Sequence, residues 1–292
     1  MENTAIKVVQ YEDAEAFYAR VEAYLLPSEA THNLLFGLLS NIQHDPARFP
    51  EAILALVEDE GEVQFVALRT DAEHDLILSL AKSPEAVMAL ALEFQRTGLV
   101  VQSVSGPKDE SKTFADAWAH LSQQRYWAIR GMRAFRLEKV IPALGVVGRL
   151  RRATVEDRDQ LIEWDMAFRL EAFPDDRHVL DDVIRFIDLV LRFDQRGVYV
   201  WEDADGGAVS YACYSGPTPH GIRIGPVYTP SELRGHGYAS ACVAGMSQFL
   251  LCSGYQFCFL FTNLANPTAN HIYQVIGYEA VADFTVYDFS AD

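Results

Sequence analysis

The sequence predicts an α+β chain with mixed sheets, built as two tandem copies of one domain. Three observations carry this expectation. Apolar patterning over residues 149–292 follows the order β-α-α-β-β-β-α-β-α-β. Residues 1–140 repeat that order, as a tandem duplication would. Between them, Ile141-Pro142-Ala143-Leu144-Gly145-Val146-Val147-Gly148 sets one Pro and two Gly between patterned segments and reads as a linker.

In the first copy, Ile6 to Val9 is a strand, and 13–26 and 30–42 are helical. Ile53–Val57 and Val63–Arg69 flank Glu58-Asp59-Glu60-Gly61 as a hairpin. Asp75–Leu80 is a third strand, and Pro84–Arg96 a helix with Ala and Leu at helical spacing. Leu99–Val104 and Thr113–Gln123 follow as strand and helix, and Arg125–Leu137 closes the copy. In the second copy, Arg149-Leu150-Arg151 opens a strand and Thr154-Val155-Glu156-Asp157 caps a helix with acids in its first turn. Helices run through Phe168 and from Val179 to Phe193. Val198–Glu202 and Ala208–Tyr214 form a hairpin over Asp203–Gly207, and Ile222–Tyr228 is the third strand of the meander. A helix, the strand Phe257–Phe261, another helix and the strand Tyr278–Phe289 complete the order.

The third strand runs into Val227-Tyr228-Thr229-Pro230-Ser231-Glu232-Leu233-Arg234-Gly235-His236-Gly237-Tyr238-Ala239-Ser240. This reads as a strand end, a glycine-rich turn and a helix start without bulky side chains. A helix N-terminus has unpaired N–H groups and the positive end of the macrodipole, and so attracts anions. Gly235 and Gly237 allow close backbone approach, and Arg234 adds a donor fork. Such a turn suits a pyrophosphate. A Walker loop would need a Lys, which is absent, and a Rossmann turn would need Gly where Ser240 stands. Downstream, Asn266, Pro267, Asn270, Tyr273, Gly277 and Tyr278 give N-P-x-x-N-x-x-Y-x-x-x-G-Y after a short apolar strand.

The first of these stretches, R-x-x-G-x-A over Arg234, Gly237 and Ala239, resembles the pyrophosphate signature of the GNAT acyl-CoA-dependent N-acyltransferases. The second resembles another signature of the same superfamily, and the two stand in the family's order. The likeness covers 149–292, with wording also close to the FR47-like domain. In the first copy, the equivalent turn is Ala81-Lys82-Ser83-Pro84-Glu85-Ala86, which has no glycine and sets Glu85 where it would repel an anion. That copy reads as degenerate.

The resemblance implies an acetyl-CoA (acyl-CoA) co-substrate and no metal, with direct attack by a primary amine of a small molecule on the thioester. Backbone N–H groups of Gly235, His236, Gly237, Tyr238, Ala239 and Ser240 would hold the pyrophosphate, with Arg234 beside them. Val227 would donate its N–H to the carbonyl oxygen, on a strand whose Gly225 and Pro226 spoil regular pairing. Val227, Tyr228 and Thr229 would border the pantetheine, and Asn266 and Asn270 would contact the pantetheine or the nucleotide side. Tyr273 matches the family's general acid for the departing thiolate. Glu171, expected in the connection Leu170–Pro174, and His220 are candidate bases; Trp164, Phe168 and Phe173 are candidate acceptor-pocket residues or core. The alternative is a non-catalytic acyl-CoA-binding or regulatory module.

Composition limits the rest. The 292 residues carry a formal charge of −17, which argues against nucleic acid as a partner and mildly favours cationic substrates such as amines, although solubility explains acidity equally well. There is no apolar run long enough to span a bilayer and no basic-then-apolar leader, so no membrane is expected. Cys213, Cys242, Cys252 and Cys258 lack C-x-x-C spacing and read as reduced core residues of a cytoplasmic protein, monomer or homodimer.

Overall fold

The computed structural model describes residues 6–174, 179–192 and 195–290. Phe193, the expected end of one helix, lies outside them. The chain forms two compact units: residues 1–134 with 281–292, and residues 135–280. The sequence pattern alone placed the divide at 141–148; residues 141–148 instead belong to the second unit, and the segment from Val281 onward belongs to the first.

The first unit contains β1 (Lys7–Tyr11), α1 (Ala14–Leu25), α2 (Asn33–His44), β2 (Ile53–Asp59), β3 (Glu62–Arg69), β4 (Leu76–Leu78), α3 (Pro84–Thr97), β5 (Ser103–Pro107), α4 (Lys108–Ser122) and β6 (Arg125–Leu137), of which 135–137 pass to the second unit. The second contains β7 (Arg149–Arg152), α5 (Arg158–Ala172), α6 (Leu180–Arg192), β8 (Gly197–Glu202), β9 (Ala208–Pro217), β10 (Gly221–Tyr228), α7 (Tyr238–Cys252), β11 (Phe257–Asn263) and α8 (Pro267–Ile276). The strand β12 (Glu279–Ser290) follows, and its part from Val281 on completes the first unit.

Strand order in the first unit is β1-β2-β3-β4-β5-β12-β6, and in the second β6-β11-β10-β9-β8-β7. β12 runs antiparallel to β5, from Phe284 opposite Pro107 to Asp288 opposite Ser103. The β2–β3 hairpin turns on Glu60 and Gly61, both at positive φ (47° and 79°), a geometry that suits a two-residue turn between twisted strands. Each sheet has a core on both faces. In the first unit, Phe17, Phe36 and Leu39 on α1 and α2 pack on one side, and Leu90, Phe94, Phe114 and Trp118 on α3 and α4 on the other. In the second, α5 and α6 bring Trp164, Val183 and Ile187 to one face, and α7 brings Cys242, Val243 and Met246 to the other.

Several elements differ from the sequence expectation for identifiable reasons. Leu99-Val100-Val101 has strand-forming residues but follows Gly98, which ends α3 in the left-handed conformation, so it is a loop and β5 begins only at Ser103. α4 begins five residues before the expected Thr113, because its polar first turn shows no apolar period while Asp109 and Glu110 suit a helix N-terminus. α5 extends to Ala172, so Glu171 lies in its last turn and not in a loop. Cys213, Cys242 and Cys258 are buried as expected, whereas Cys252 is exposed at the end of α7.

Candidate active site

β10 and β11 pair in parallel only at Gly221, Ile222 and Arg223, opposite Phe257, Cys258 and Phe259. Beyond that last rung the two strands have no pairing. On its other edge β10 stays with β9, but the register shifts between Ile224 and Val227, where Gly225 and Pro226 stand. A bulge of this kind bends a strand away from its neighbour. Ser210 Oγ on β9 donates to the Tyr228 carbonyl (3.1 Å). Val227 and Tyr228, at this irregular end of β10, stand opposite Ala212 and Tyr211 of β9.

At the mouth of this opening α7 begins. Its cap residue, Gly237, sits at φ 80° with no side-chain hydrogen bond to the first turn, and no acid lies in that turn. Gly235 is also left-handed, at φ 83°. A Cβ on Gly237 would lie 2.9 Å from Val146 Cγ2, so glycine is required there on two counts. The first-turn N–H groups are therefore open to an anion. α3 in the first unit is closed to one: Ser83 Oγ accepts from the Ala86 N–H (3.4 Å), Pro84 removes one donor, and Glu85 occupies the first turn. The chain after β4 is likewise occupied. The Leu80 N–H donates to His32 Nε2 (3.0 Å) and the Ala81 N–H to Glu110 Oε1 (3.2 Å). Side chains of the first unit thus fill the places where a ligand would meet backbone donors.

The Tyr273 ring packs near Phe135 and Tyr278, with centroids 6.4 and 5.9 Å away. Its hydroxyl has no hydrogen-bond partner among the described residues and is not sealed from solvent. Burial of the ring pushes the phenol up to about 12, with the nearby Cys242 adding to the shift. Such a group stays protonated across the physiological range.

Other expected residues have partners within the protein. Asn266 caps α8 by accepting from the Ala269 N–H (3.0 Å). Asn270 donates to the carbonyls of Asn263 (3.0 Å) and Asn266 (2.7 Å) and accepts from Thr262 Oγ1 (2.6 Å). Both side chains hold the β11–α8 connection in place. Arg234 Nε donates to the Thr229 carbonyl (2.9 Å), and Nη2 to Glu171 Oε2 (2.7 Å). Its guanidinium lies 5.5 Å from the Tyr228 ring centre, and the Tyr228 hydroxyl donates to Glu171 (3.2 Å). Thr229 is buried and bonds Ser210 (2.9 Å), while His236 stacks on Tyr238. His220 lies before β10, at the closed end of the opening, on the order of 20 Å along the strand from Val227. Trp164 is core, stacked on Tyr211, whose hydroxyl donates to the fully buried Asp165 (2.9 Å). Phe168 and Phe173 pack on each other, 6.0 Å apart. Among the described residues no group of three His, Cys, Asp or Glu could hold a metal ion, and no helix is long and apolar enough to cross a membrane.

Residues 158–278 match the Acetyltransferase (GNAT) family. That match covers 121 of the 292 residues, from the start of α5 to Tyr278. Solved structures extend the GNAT fold to both halves. A GCN5-related N-acetyltransferase of Sphaerobacter thermophilus aligns over 96% of this chain and 94% of its own, with TM-score 0.63 and 16% identity. A Drosophila protein aligns over 97% and 98%, with TM-score 0.65 and 13% identity. A tandem GNAT protein from the clavulanic acid biosynthesis pathway aligns over 98% of both chains, with TM-score 0.55 and 11% identity. At such identities the likeness is one of fold, and the fold is that of two GNAT-like domains. Among curated proteins none matches the sequence.

One residue of the second unit escaped the sequence reading. Arg223 stands on β10 between Ile222 and Ile224, and belongs to no signature. A lone cation in an otherwise apolar core strand was the available signal.

Proposed function

We propose that the second unit is an acyl-CoA-dependent N-acyltransferase that moves acetyl from acetyl-CoA to a primary amine of a small molecule by direct attack. The uncapped, acid-free N-terminus of α7 at the mouth of the β10–β11 opening carries this reading. First-turn amides of α7 and the turn Gly235–Gly237 hold the diphosphate, with Arg234 leaving Glu171 to join them. The pantetheine chain occupies the place of a missing strand beside β10. There Val227 N–H donates to the thioester oxygen, where charge develops as the amine attacks. Tyr273 delivers its proton to the departing sulfur.

The pairing of Glu171 with Arg234 favours a second role for that carboxylate. Paired with a guanidinium, it becomes available to the incoming ammonium only as Arg234 turns to the diphosphate. Calorimetry with acetyl-CoA, followed by thiol release across a panel of amines, tests the proposal. Micromolar binding with amine-dependent thiol release is expected. Binding without release for any amine would point to a regulatory module, and absence of binding would remove both readings.

A further inference from the structure

β10 turns Ile222, Ile224 and Val227 toward the core formed with α7 and α8. Alternation sends Arg223 to the opposite face, the one that carries α5, α6 and the Tyr228 ring. On its rung Arg223 stands between Ser215 of β9 and Phe259 of β11, the last pair before the strands part. Its Nη1 is sealed from solvent and meets no hydrogen-bond acceptor among the described residues. Burial draws the guanidinium down to about 10.

An arginine donor left unpaired in a protein interior costs several kcal/mol, and native structures keep few such groups. Every other arginine named near the site has a counter-charge: Arg234 has Glu171, Arg169 has Asp165 and Arg158 has Asp188. Arg223 lies on the rung after which the β10–β11 opening begins. Val227 lies four residues along the strand, roughly 13 Å at most. A planar guanidinium matches a carboxylate through two parallel N–H···O bonds.

We infer that Arg223 is the acceptor-specificity residue, and that the acceptor is a small amine bearing a carboxylate, which pairs with this guanidinium while its amino group reaches the thioester. The inference rests on the acyltransferase reading for the reaction, but not for the carboxylate binding itself. It also reconciles an acidic protein with an anionic substrate group: the ammonium end suits the overall charge, and the carboxylate end finds a guanidinium whose Nη1 has no hydrogen-bond partner among the described residues.

The test pairs glycine, β-alanine, 4-aminobutyrate and 6-aminohexanoate with methylamine, ethylamine, propylamine and pentylamine, the same chains without the carboxylate. On wild-type protein preloaded with acetyl-CoA, at least one amino acid should show a KM about 100-fold below that of its partner, the size expected for a buried bidentate charge pair. Arg223→Met should erase that difference, Arg223→Lys should restore part of it, and neither should alter acetyl-CoA affinity. Thermal stabilisation of wild-type protein by the same amino acids, lost in Arg223→Met, provides a readout independent of turnover. Removing an unpaired buried charge should leave the melting temperature equal or higher, so a folding defect is not the expected confounder. Equal preference for both members of every pair, or discrimination that survives in Arg223→Met, overturns the inference. So does a panel in which no amino acid reacts with or stabilises the protein. Failure of acetyl-CoA to bind would instead count against the acyltransferase reading, and would leave the stabilisation assay to decide on Arg223.

Discussion

Arg234 Nη2 lies 2.7 Å from Glu171 Oε2, so an ion pair joins the glycine-rich turn to the last turn of α5. Both side chains are about half exposed, and pairs of that kind contribute at most about 1 kcal/mol. A diphosphate carrying more charge than one carboxylate should therefore recruit Arg234 at small cost. Arg234→Ala is expected to weaken acetyl-CoA binding about tenfold, the effect of losing one charge-assisted contact. Glu171→Gln should keep or tighten it, since the guanidinium is then free. Titration calorimetry on the three proteins decides the matter, and an unchanged Kd in Arg234→Ala would exclude Arg234 from the diphosphate site.

Tyr273→Phe removes the proton donor while keeping the ring contacts with Phe135 and Tyr278. Turnover should fall about 100-fold or more, with acetyl-CoA affinity within about threefold of wild type. Because burial holds the phenol near 12, its loss of a proton should produce no decline in kcat below about pH 10. Steady-state kinetics over pH 6–10 provide the comparison. Retention of turnover within threefold would return Tyr273 to a packing role.

His32 gives the first unit a pH dependence of its own. Burial lowers this imidazole from 6.5 to about 4, partly opposed by its bond to the Leu25 carbonyl (2.8 Å). Its Nε2 accepts from Leu80 N–H and must therefore be unprotonated in the folded protein. The unfolded chain takes up this proton near pH 6.5 and the folded chain only near 4, so the stability from the neutral ring is whole above 6.5 and is lost as pH falls toward 4. The loss amounts to about 3 kcal/mol. Urea unfolding of wild type and His32→Gln at pH 7 and pH 4.5 should show a smaller acid-induced decrease in the variant. Parallel curves would remove His32 as the cause.

The residues after Val281 are needed by the first unit. Phe289 on β12 is buried in the core that includes Trp118, with ring centroids 6.4 Å apart, and Arg133 forms a two-pronged pair with Asp283 (2.7 and 2.9 Å). A fragment of residues 1–140 should therefore lack cooperative thermal unfolding. Joining residues 279–292 to it through a flexible linker should restore that transition. A sharp melt of 1–140 alone would contradict this reading.

Much of the fold could be read from the chain because its cues are local. Asn266 and Pro267 start α8, Gly277 ends it in the left-handed form, and Glu60-Gly61 turns a hairpin, each for reasons contained in a few residues. The left-handed glycines 235 and 237 were legible for the same reason. Where β12 pairs was not legible, since its alternation fits either sheet and only its long-range partners on β5 decide. The partners of Arg234, Asn266 and Asn270 were also out of reach, because a signature gives residue types and not which of them are already bonded to one another. Arg223 is the opposite case: what identifies it is an absent partner, and absence becomes visible only when the neighbours are in place.

The placement of β12 has a consequence for how the protein is made. A ribosome delivers residues 135–280 before residues 281–290, so the half with the glycine-rich turn has its complete set of strands while the earlier half still waits for one. Until translation reaches β12, β5 offers a bare edge to any passing strand, which makes the nascent N-terminal half the part most in need of a chaperone.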